Sequence, residues 1–456
     1  MQTKTSARVE LKMMIIDLRR AFLHSKASGE TYVKPPHLKG TDRCWRALES
    51  IYGTLPAAQE FQDSLNIVLV KEMGMMQGEC HPCLFYANGS EYIISLAYHG
   101  DDICCVGTYK DLRIFHEKLS KHFDAKVKYL IGSGEKDDKH GVILNRFITL
   151  QDGILHWESD PRHHELIIAE LGLLKAKSVS TPAARFTKKD VEQCEELTGT
   201  AIKQYRSTAA RAGFLSMDRW ELLYSAKECL RGMSKPTTLH LRMLKRIGRY
   251  LIGEPRVALM FERQSEIEHI DAVGDTDHNG CTISRKSTNG GAIWCGSHAV
   301  TAWSTTQNST NLAVGESEWY GALKTSAEGL TFQAGMKSLG SNLELRVGTD
   351  STSCVGTGHR LGSGQLKHVE ARYLWLQQCI RAKRLVLYYL RGEDNATDLM
   401  TKPLGAPVIR KRMKSLQLRA IQNGRHKLAP KLTVDVADIA RSSPLVAYAS
   451  QQRGEE

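Results

Sequence analysis

The sequence contains no apolar run that approaches the ~20 residues needed to cross a bilayer, and its N-terminal apolar stretch, MMII, is short. Aromatic residues make up only 7% of the chain, while charged residues make up 25% and hydrophobic residues 41%. This balance is typical of globular proteins and argues against wholesale disorder. We therefore expect a soluble chain with no membrane partner.

The cysteines do not form a regular framework, because the eleven of them are odd in number and scattered along the chain. Cys104 and Cys105 are adjacent within an apolar run, which predicts reduced core thiols and a cytosolic or nuclear protein. Cys80, His81 and Cys83 have a metal-like spacing. No second Cys/His pair follows at zinc-finger distance, so we interpret this motif as structural.

Acidic residues are outnumbered, with Asp+Glu 50 against Lys+Arg 62 and a formal net charge of +12. A positive field favours a polyanionic partner, nucleic acid before any other, although simple solubility is an equal alternative. Between Lys203 and Ile252 the pattern is helical, and one helix face carries a basic stripe. A solvated helix face is the default explanation of the stripe, with phosphate contact as the alternative. The stripe consists of Arg242, Lys245, Arg246 and Arg249.

The length of 456 residues predicts roughly two to four domains. The apolar runs YIISLAY and ICCV flank Gly100, Asp101 and Asp102, which is the pattern of a β-hairpin with a polar turn. From about Ile267, strands alternate with helices after an initial hairpin. That order predicts an α/β sheet of mixed direction.

Several carboxylates stand at the ends of predicted strands. Asp17 closes an apolar strand, and Asp101 and Asp102 occupy the hairpin tip, where a solvent-exposed turn is the usual role of such a pair. In the C-terminal half, four carboxylates belong to four elements, the arrangement that a two-metal nuclease requires. These four are Asp275, Glu318, Asp350 and Asp398.

Two of these assignments have competitors within the sequence. Asp277 shares a strand face with Asp275, because side chains alternate with a period of two. Glu316 and Glu318 differ by about 200° around a helix, so only one of them can face a given site. The pattern of residues alone leaves both choices open.

Motifs along nearly the whole chain to Leu404 resemble copia-type retrotransposon reverse transcriptases followed by an RNase H domain. The first group resembles palm motifs and consists of IIDLRRAFLHS, SIYGTLPAAQEF, CHPCLFY and AYHGDDICCVG. The second group resembles RNase H blocks and consists of GDTDHNG, SRKSTNGGAIW, AWSTTQ, AVGESEWYGAL, VGTDS, LKHVEARYLWLQ and NATDLMTKPL. A string of seven blocks in order is far more specific than any one of them.

The resemblance implies a fold and a set of boundaries. It implies a multidomain protein of the α/β and α+β classes, with a partial palm and thumb followed by an RNase H-like mixed-sheet domain. The expected divisions are a palm over 1–140, a thumb or connection region over 141–262, an RNase H-like domain over 263–404, and a basic then flexible tail over 405–456. Only sixteen residues precede Asp17, so we expect the family's fingers subdomain to be missing.

The resemblance also implies roles in polymerisation. Asp17 and Asp101 would bind two Mg²⁺ or Mn²⁺ ions with Asp102 beside them, and Phe22 would exclude a ribose 2′-OH. Three residues depart from the family pattern: His99 replaces a Tyr, Pro56 a Gln and His278 a Trp. The expected partners are RNA template, DNA, RNA:DNA hybrid and, if the polymerase is active, deoxynucleoside triphosphates.

In the nuclease half, the resemblance selects Asp275, Glu318, Asp350 and Asp398 as catalytic carboxylates that hold two metal ions. The leading hypothesis is therefore a retrotransposon-derived RNA-directed DNA polymerase fragment whose RNase H domain degrades the RNA strand of hybrids. It would act in the cytoplasm, within a virus-like particle, or in the nucleus. The alternatives are a catalytically dead nucleic-acid-binding relic and a gene fragment without a stable fold.

Overall fold

The computed structural model describes residues 10–89, 91–264, 267–364, 370–421 and 424–448. The chain divides into two compact units. Unit 1 comprises residues up to Leu144 together with Ala334–Asn342, and unit 2 comprises Asn145–Gln333 and the chain from Leu343 onwards. No helix in the described residues is both long and apolar enough to span a membrane.

Unit 1 is built on an antiparallel sheet that carries the predicted hairpin. Its strands are β1 (Lys12–Leu18), β2 (Lys26–Val33), β3 (Trp45–Glu49), β4 (Met76–Gln77), β5 (Leu84–Asn88), β6 (Ile93–His99), β7 (Asp102–Gly107), β8 (Ala125–Ile131) and β9 (His140–Ile143). The main sheet has the order β4-β5-β6-β7-β1-β8, and β2 and β3 form a separate ribbon. β1 therefore lies beside the β6–β7 hairpin, although the two are far apart in sequence.

Two helices of unit 1 bury apolar residues on one face. α1 (Ala57–Ile67) continues as a π-helical turn and buries Phe61, Leu65 and Leu69, the apolar positions that the sequence places on one face. α2 (Tyr109–Leu119) begins after Thr108, whose hydroxyl accepts a hydrogen bond from the backbone N–H of Asp111. This N-cap satisfies one of the unpaired amides of the first helical turn.

Unit 2 contains two sheets. The strands of the first are β10 (Arg146–Gln151), β11 (Ile154–Ser159), β12 (Val257–Phe261) and β18 (Leu418–Ala420), which pair antiparallel in the order β18-β12-β11-β10. The strands of the second are β13 (His269–Asp277), β14 (Thr288–Cys295), β15 (His298–Thr306), β16 (Glu344–Thr349) and β17 (Val386–Tyr389). The second sheet has the order β15-β14-β13-β16-β17, with parallel pairing only of β16 to β13 and to β17. This confirms the predicted α/β sheet of mixed direction.

The remaining helices are α3 (Pro161–Glu170), α4 (Lys188–Glu192), α5 (Gly199–Ser216), α6 (Leu223–Arg231), α7 (Thr238–Gly253), α8 (Val314–Ser338), α9 (Thr352–His359), α10 (Trp375–Arg381), α11 (Ala406–Ser415) and α12 (Val436–Ser442). α7 begins with a capping box formed by Thr237 and His240. Its apolar face buries Leu244, Ile247 and Leu251 against α3 and α5, as its periodicity predicts. Within the block LKHVEARYLWLQ, residues 366–369 lie outside the described part of the chain.

The C-terminal segment differs from the expected flexible tail. Residues 405–421 form α11 and β18, and α12 packs on α3. Leu445 is fully buried in the helical core, and the Ser443 hydroxyl donates a hydrogen bond to the carbonyl oxygen of Glu170. The Ala/Ser-rich composition concealed this packing, because a few well-spaced apolar residues suffice to dock a short helix. The division of unit 2 into thumb, RNase H-like domain and tail stays a prediction.

We expect Leu445→Ala to lower the free energy of unfolding by about 2–4 kcal/mol, because it leaves a cavity in the helical core. Val434→Ala in the same segment is the control, since Val434 is 54% exposed, and its effect should stay within about 0.5 kcal/mol. Urea denaturation followed by circular dichroism measures both. Equal, small effects would mean that the segment is not packed as described.

Candidate active sites

Asp17 and Asp102 face each other at one end of the unit 1 sheet. Asp17 on β1 is the cross-strand partner of Asp102 on β7, and both carboxylates are partly exposed. The loop of the hairpin is Gly100 and Asp101, and Gly100 has a φ of 61°, which a glycine adopts without strain. Asp101 is exposed, and its carbonyl oxygen accepts a hydrogen bond from the backbone N–H of Leu18. The pairing of β1 with the β6–β7 hairpin therefore brings all three carboxylates to one end of the sheet.

The ammonium of Lys128 joins two of these carboxylates. Its Nζ lies 2.8 Å from Oδ1 of Asp17 and 3.1 Å from Oδ1 of Asp102. Partial burial alone would lower the pKa of Lys128, but the hydrogen bonds and charges of the two aspartates outweigh burial and raise it. The pair of aspartates thus already attracts one cation, which belongs to the chain itself.

Phe22 lies in a short 3-10 helix, Ala21–His24, that follows β1. Its ring packs against Tyr52, with ring centroids 4.4 Å apart, and against Phe61, with centroids 5.9 Å apart. It is only partly buried. The position close to β1 in sequence is compatible with the role that the resemblance implies, and the aromatic contacts fix the ring.

In unit 2, the polar turn that carries Asp398 is bound to the strand that carries Asp275. The fully buried side chain of Asn395 donates a hydrogen bond of 3.2 Å from Nδ2 to the carbonyl oxygen of Gly274. Its Oδ1 accepts hydrogen bonds from the backbone N–H and the hydroxyl of Thr397. Because a buried amide requires such partners, this turn has one favourable position against β13. Asp398 is thereby held beside Asp275.

Two further side chains hold Asp275 and Asp398 together. Nζ of Lys402 lies 3.4 Å from Oδ2 of Asp275 and 2.5 Å from Oδ1 of Asp398. The hydroxyl of Thr401 donates a short hydrogen bond to Oδ2 of Asp275. Nη2 of Arg412 on α11 lies 2.8 Å from the other carboxylate oxygen of Asp398. Each carboxylate is therefore oriented by a cation on a neighbouring element.

Glu318 reaches the same region from α8. That helix packs closely on β13 at Gly321, where a Cβ atom would lie 2.2 Å from Oγ1 of Thr276. Glu316 points elsewhere: it is buried, and its Oε2 accepts a hydrogen bond of 2.8 Å from the backbone N–H of Leu312. Glu316 therefore binds the backbone that precedes the helix, whereas Glu318 lies near Asp275. The two side chains point in different directions, as their positions on the helix predict.

The pKa values of these carboxylates reveal their proximity. Burial raises the pKa of Asp275, and the nearby Asp398 and Asp350 raise it further, against the opposing effects of Lys402 and Thr401. Burial, followed by the charges of Asp275 and Asp350, raises the pKa of Glu318 to about 8. Asp350 follows β16 directly and lies beside Gly392. The four carboxylates thus interact electrostatically at one end of the sheet.

In the described part of the chain, no three His, Cys, Asp or Glu side chains lie close enough together to form a metal-binding group. The donor set of unit 2 nevertheless fits a hard divalent cation, because all of its donors are carboxylate oxygens. Burial first, and then the charges of neighbouring acids, raise the pKa values of Asp275 and Glu318. A bound cation would favour the ionised form of both side chains.

Asp277 has a different environment from Asp275. Burial raises its pKa, and its carboxylate lies against Gly280, where a Cβ atom would overlap an oxygen at 1.6 Å. It lines a cavity of about 340 Å³ together with Tyr224 and Arg246, among other residues. Lys402 also lines this cavity and lowers the pKa of Asp277. Asp277 is therefore a neighbour of the carboxylate cluster.

The basic stripe of α7 contacts the chain around residues 177–190. Arg242 forms an ion pair of 3.0 Å with Asp190, and Nη2 of Arg246 donates a hydrogen bond of 2.7 Å to the hydroxyl of Thr181. Nε of Arg249 donates to the carbonyl oxygen of Lys177 at 2.8 Å. Lys245 also has an interaction partner. The stripe fastens a neighbouring segment, and its contact with phosphate stays a prediction.

A groove of about 500 Å³ in unit 2, lined in part by residues of β14, β15 and α8, was missed by the sequence reasoning. Asn289, which is the cross-strand partner of Thr276, lies at one side of it, and Tyr320 and Lys324 of α8 lie at the other. The rings of Tyr320 and Tyr373 pack with centroids 4.9 Å apart. Gln307 donates from Nε2 to Asn289 and to the carbonyl oxygen of Ser317. The signal in the sequence was the polar run STTQNSTN, residues 304–311, which begins in the last residues of β15.

Amides, hydroxyls, aromatic rings and lysines are among the groups that bind nucleic acid strands.

Comparisons with known proteins find similar sequences among transposon polyproteins. The chain is 24% identical over 404 residues to the retrovirus-related Pol polyprotein from transposon RE1 of Arabidopsis thaliana, covering 85% of this chain and 26% of the relative. It is 25% identical over 411 residues to that from transposon TNT 1-94 of Nicotiana tabacum, covering 87% of this chain and 30% of the relative.

The relatives are copia-type, retrovirus-related Pol polyproteins from plant transposons. This confirms the predicted resemblance. The chain spans less than a third of the length of these relatives. No family model matches the sequence.

Among solved structures, the chain resembles the foamy viral protease-reverse transcriptase in complex with RNA/DNA hybrid, with a TM-score of 0.50 at 13% identity. The match covers 84% of this chain and 44% of that protein, and it supports the expected multidomain α/β fold. The sequence is therefore similar to retrotransposon Pol polyproteins, and the fold is similar to that of a viral protease-reverse transcriptase.

We expect Arg412→Met to lower the free energy of unfolding by about 3–5 kcal/mol, because it leaves the largely buried carboxylate of Asp398 without this partner. Lys411→Met on the same helix removes the same charge from an exposed position and should change stability by less than about 0.5 kcal/mol. Thermal and urea denaturation measure both variants. If the two variants behave alike, Arg412 does not hold Asp398.

Proposed function

We propose that the chain is a retroelement-derived region in which unit 2 hydrolyses the RNA strand of RNA:DNA hybrids. The observation that supports this proposal most directly is the electrostatic cluster of Asp275, Glu318, Asp350 and Asp398, since burial and mutual repulsion raise the pKa of two of its members. Shifted pKa values are frequent at functional sites, and the hydrolysis of a phosphodiester uses clustered carboxylates to hold cations.

The four carboxylates would hold two Mg²⁺ or Mn²⁺ ions. Such ions, when bound, activate water for attack and stabilise the leaving oxygen. The chain itself supplies the orientation: Thr401 and Lys402 hold Asp275, and Arg412 holds Asp398. Because Arg412 and Lys402 contact different oxygens of Asp398, one of these contacts can change while the other maintains the position of the carboxylate.

The groove lined by Asn289, Gln307 and Tyr320 would hold the hybrid. Its amides and hydroxyls can donate to or accept from the 2′-OH groups that distinguish RNA from DNA. Tyr373 and Lys324 provide an aromatic face and a cation for bases and backbone. We therefore expect duplex DNA to be a poor substrate.

Unit 1 would supply the palm of an RNA-directed DNA polymerase. Asp17 and Asp101 would hold its metal ions, Asp102 would lie beside them, and Phe22 would exclude the 2′-OH of a ribonucleoside triphosphate. Deoxynucleoside triphosphates, an RNA template and DNA are the corresponding ligands. The contact of Lys128 with both Asp17 and Asp102 must loosen before metal ions can use these carboxylates fully.

Cleavage of a labelled RNA:DNA hybrid tests the nuclease. We expect the 456-residue chain to cut the RNA strand with Mg²⁺ or Mn²⁺ and to stop when the metal is chelated. Asp275→Asn should reduce the rate by about 10³-fold or more with hybrid affinity nearly unchanged, because it removes a proposed metal ligand. Asp277→Asn is the matched control on the same strand and should have a mild effect, and Glu316→Gln should be milder than Glu318→Gln.

If Asp277→Asn abolishes cleavage while Asp275→Asn is tolerated, the assignment of the strand register is wrong by two residues. If the parent chain binds the hybrid but cuts nothing under any metal condition, the chain is a nucleic-acid-binding relic. Duplex DNA of the same sequence is the specificity control.

A metal-binding measurement tests the palm. Lys128→Met should increase the affinity of unit 1 for Mn²⁺, because it removes the ammonium that neutralises Asp17 and Asp102. Mn²⁺ titration monitored by electron paramagnetic resonance, in a chain that also carries Asp275→Asn, measures the gain. Adding Asp17→Asn should cancel the gain, and the exposed Lys121→Met should produce none. A gain that survives Asp17→Asn would contradict the assignment.

A further inference from the structure

Two basic runs that lie about 160 residues apart in sequence meet in one cleft of unit 2. The first is the stripe of α7, which contributes Arg246, and the second is the C-terminal run, which contributes Arg410 and Lys414 of α11 and Arg419 of β18. We call this cavity of about 790 Å³ the basic cleft. Among the described residues that line it, the single acidic one is Glu254. The cleft therefore has a strongly positive lining.

The cations of α11 divide into two groups with different surroundings. Arg412 is paired with Asp398 and with backbone oxygens, and Lys411 donates to the carbonyl oxygen of Glu393. Arg410 and Lys414 line the basic cleft, are exposed, and have no ion pair within the described chain. Like charges one helical turn apart repel each other. Lys414 lies in the last turn of the helix, where the helix dipole favours a cation, so helix stability leaves Arg410 unexplained.

Two further features add to the positive field of the basic cleft. Nε of Arg246 is enclosed and has no hydrogen-bond partner among the described residues, while its Nη2 is bound to Thr181. Ala406, the first residue of α11, also lines the cleft, and the preceding Gly405 provides no side-chain cap. The positive end of a helix favours an anion, although Pro407 in the first turn contributes no amide N–H.

We propose that the basic cleft binds phosphate groups in the backbone of the nucleic acid that unit 2 cleaves. This inference rests on the function proposed above. Tyr250 is the aromatic residue that lines the cleft, and it is 2% exposed, so the lining offers no ring on which a base could stack. A cleft that offers positive charge but no ring for base stacking suits the phosphate backbone of a nucleic acid. Contacts with this backbone carry no sequence information. The hydroxyls of Ser178 and Ser180 can donate to phosphate oxygens at the same place.

The salt dependence of hybrid binding tests the proposal. Every chain in the experiment carries Asp275→Asn, which prevents cleavage, and binding to a fluorescein-labelled hybrid of about 25 base pairs is measured by anisotropy between about 50 and 200 mM salt. The test variant is Arg410→Gln with Lys414→Gln. The control is Arg263→Gln with Lys383→Gln, two exposed cations outside the cleft whose replacement changes the net charge equally. Circular dichroism checks the folding of both.

We expect the test variant to reduce the slope of log affinity against log salt by about 0.9 for each phosphate that the cleft no longer neutralises. The control should retain the slope of the parent. An unchanged slope in the test variant, or an equal reduction in the control, would overturn the proposal.

Calorimetric titration with inorganic tripolyphosphate separates this proposal from the function on which it rests. Binding by the parent and abolished binding in the test variant would support the cleft as a phosphate site. If the parent binds tripolyphosphate in the cleft but no hybrid, the backbone proposal and the proposed function both fail, and a small polyphosphate is the occupant. If hybrid is bound and cut by active chains while the test variant binds both ligands as the parent does, only the cleft fails.

Discussion

The hydrogen bond from the buried side chain of Asn395 to the carbonyl oxygen of Gly274 is the constraint on which the candidate nuclease site depends. It fixes the turn after β17 against β13, and so places Asp398 beside Asp275. A buried amide without this partner would be costly, so the turn has little freedom to move. Lys402 and Arg412 can then contact carboxylates whose positions are already set. The electrostatics of the cluster follow from this polar contact.

Both candidate sites contain carboxylates that repel one another and ammonium groups that form ion pairs with them. Lys402 occupies the space between Asp275 and Asp398, and Lys128 does the same between Asp17 and Asp102 in unit 1. In each case an ammonium from the chain relieves part of the repulsion. Lys128 belongs to the neighbouring strand, whereas Lys402 lies one helical turn after Asp398 in sequence. The same physical requirement is met by different local structures in the two units.

Basic residues have distinct tasks that their positions in sequence do not reveal. Arg412 supports a carboxylate, Arg242 and Arg249 fasten the segment around residues 177–190, and Arg410 and Lys414 line the basic cleft. The count of 62 Lys and Arg residues therefore overstates the number of cations that are free to meet a polyanion. In the basic cleft, cations without an ion pair in the described chain gather where two distant parts of the sequence meet.

The sequence by itself determined the mixed α/β class, the hairpin with its polar turn, and the apolar faces of α1 and α7, because these depend on local periodicity and turn chemistry. It also indicated the family, since many short motifs occur in order. Only the tertiary structure decided that Glu316 accepts a hydrogen bond from the backbone N–H of Leu312, that the C-terminal segment is packed, and that Arg246 and Arg410 share a cleft. These features depend on contacts between residues far apart in sequence, which no local pattern encodes.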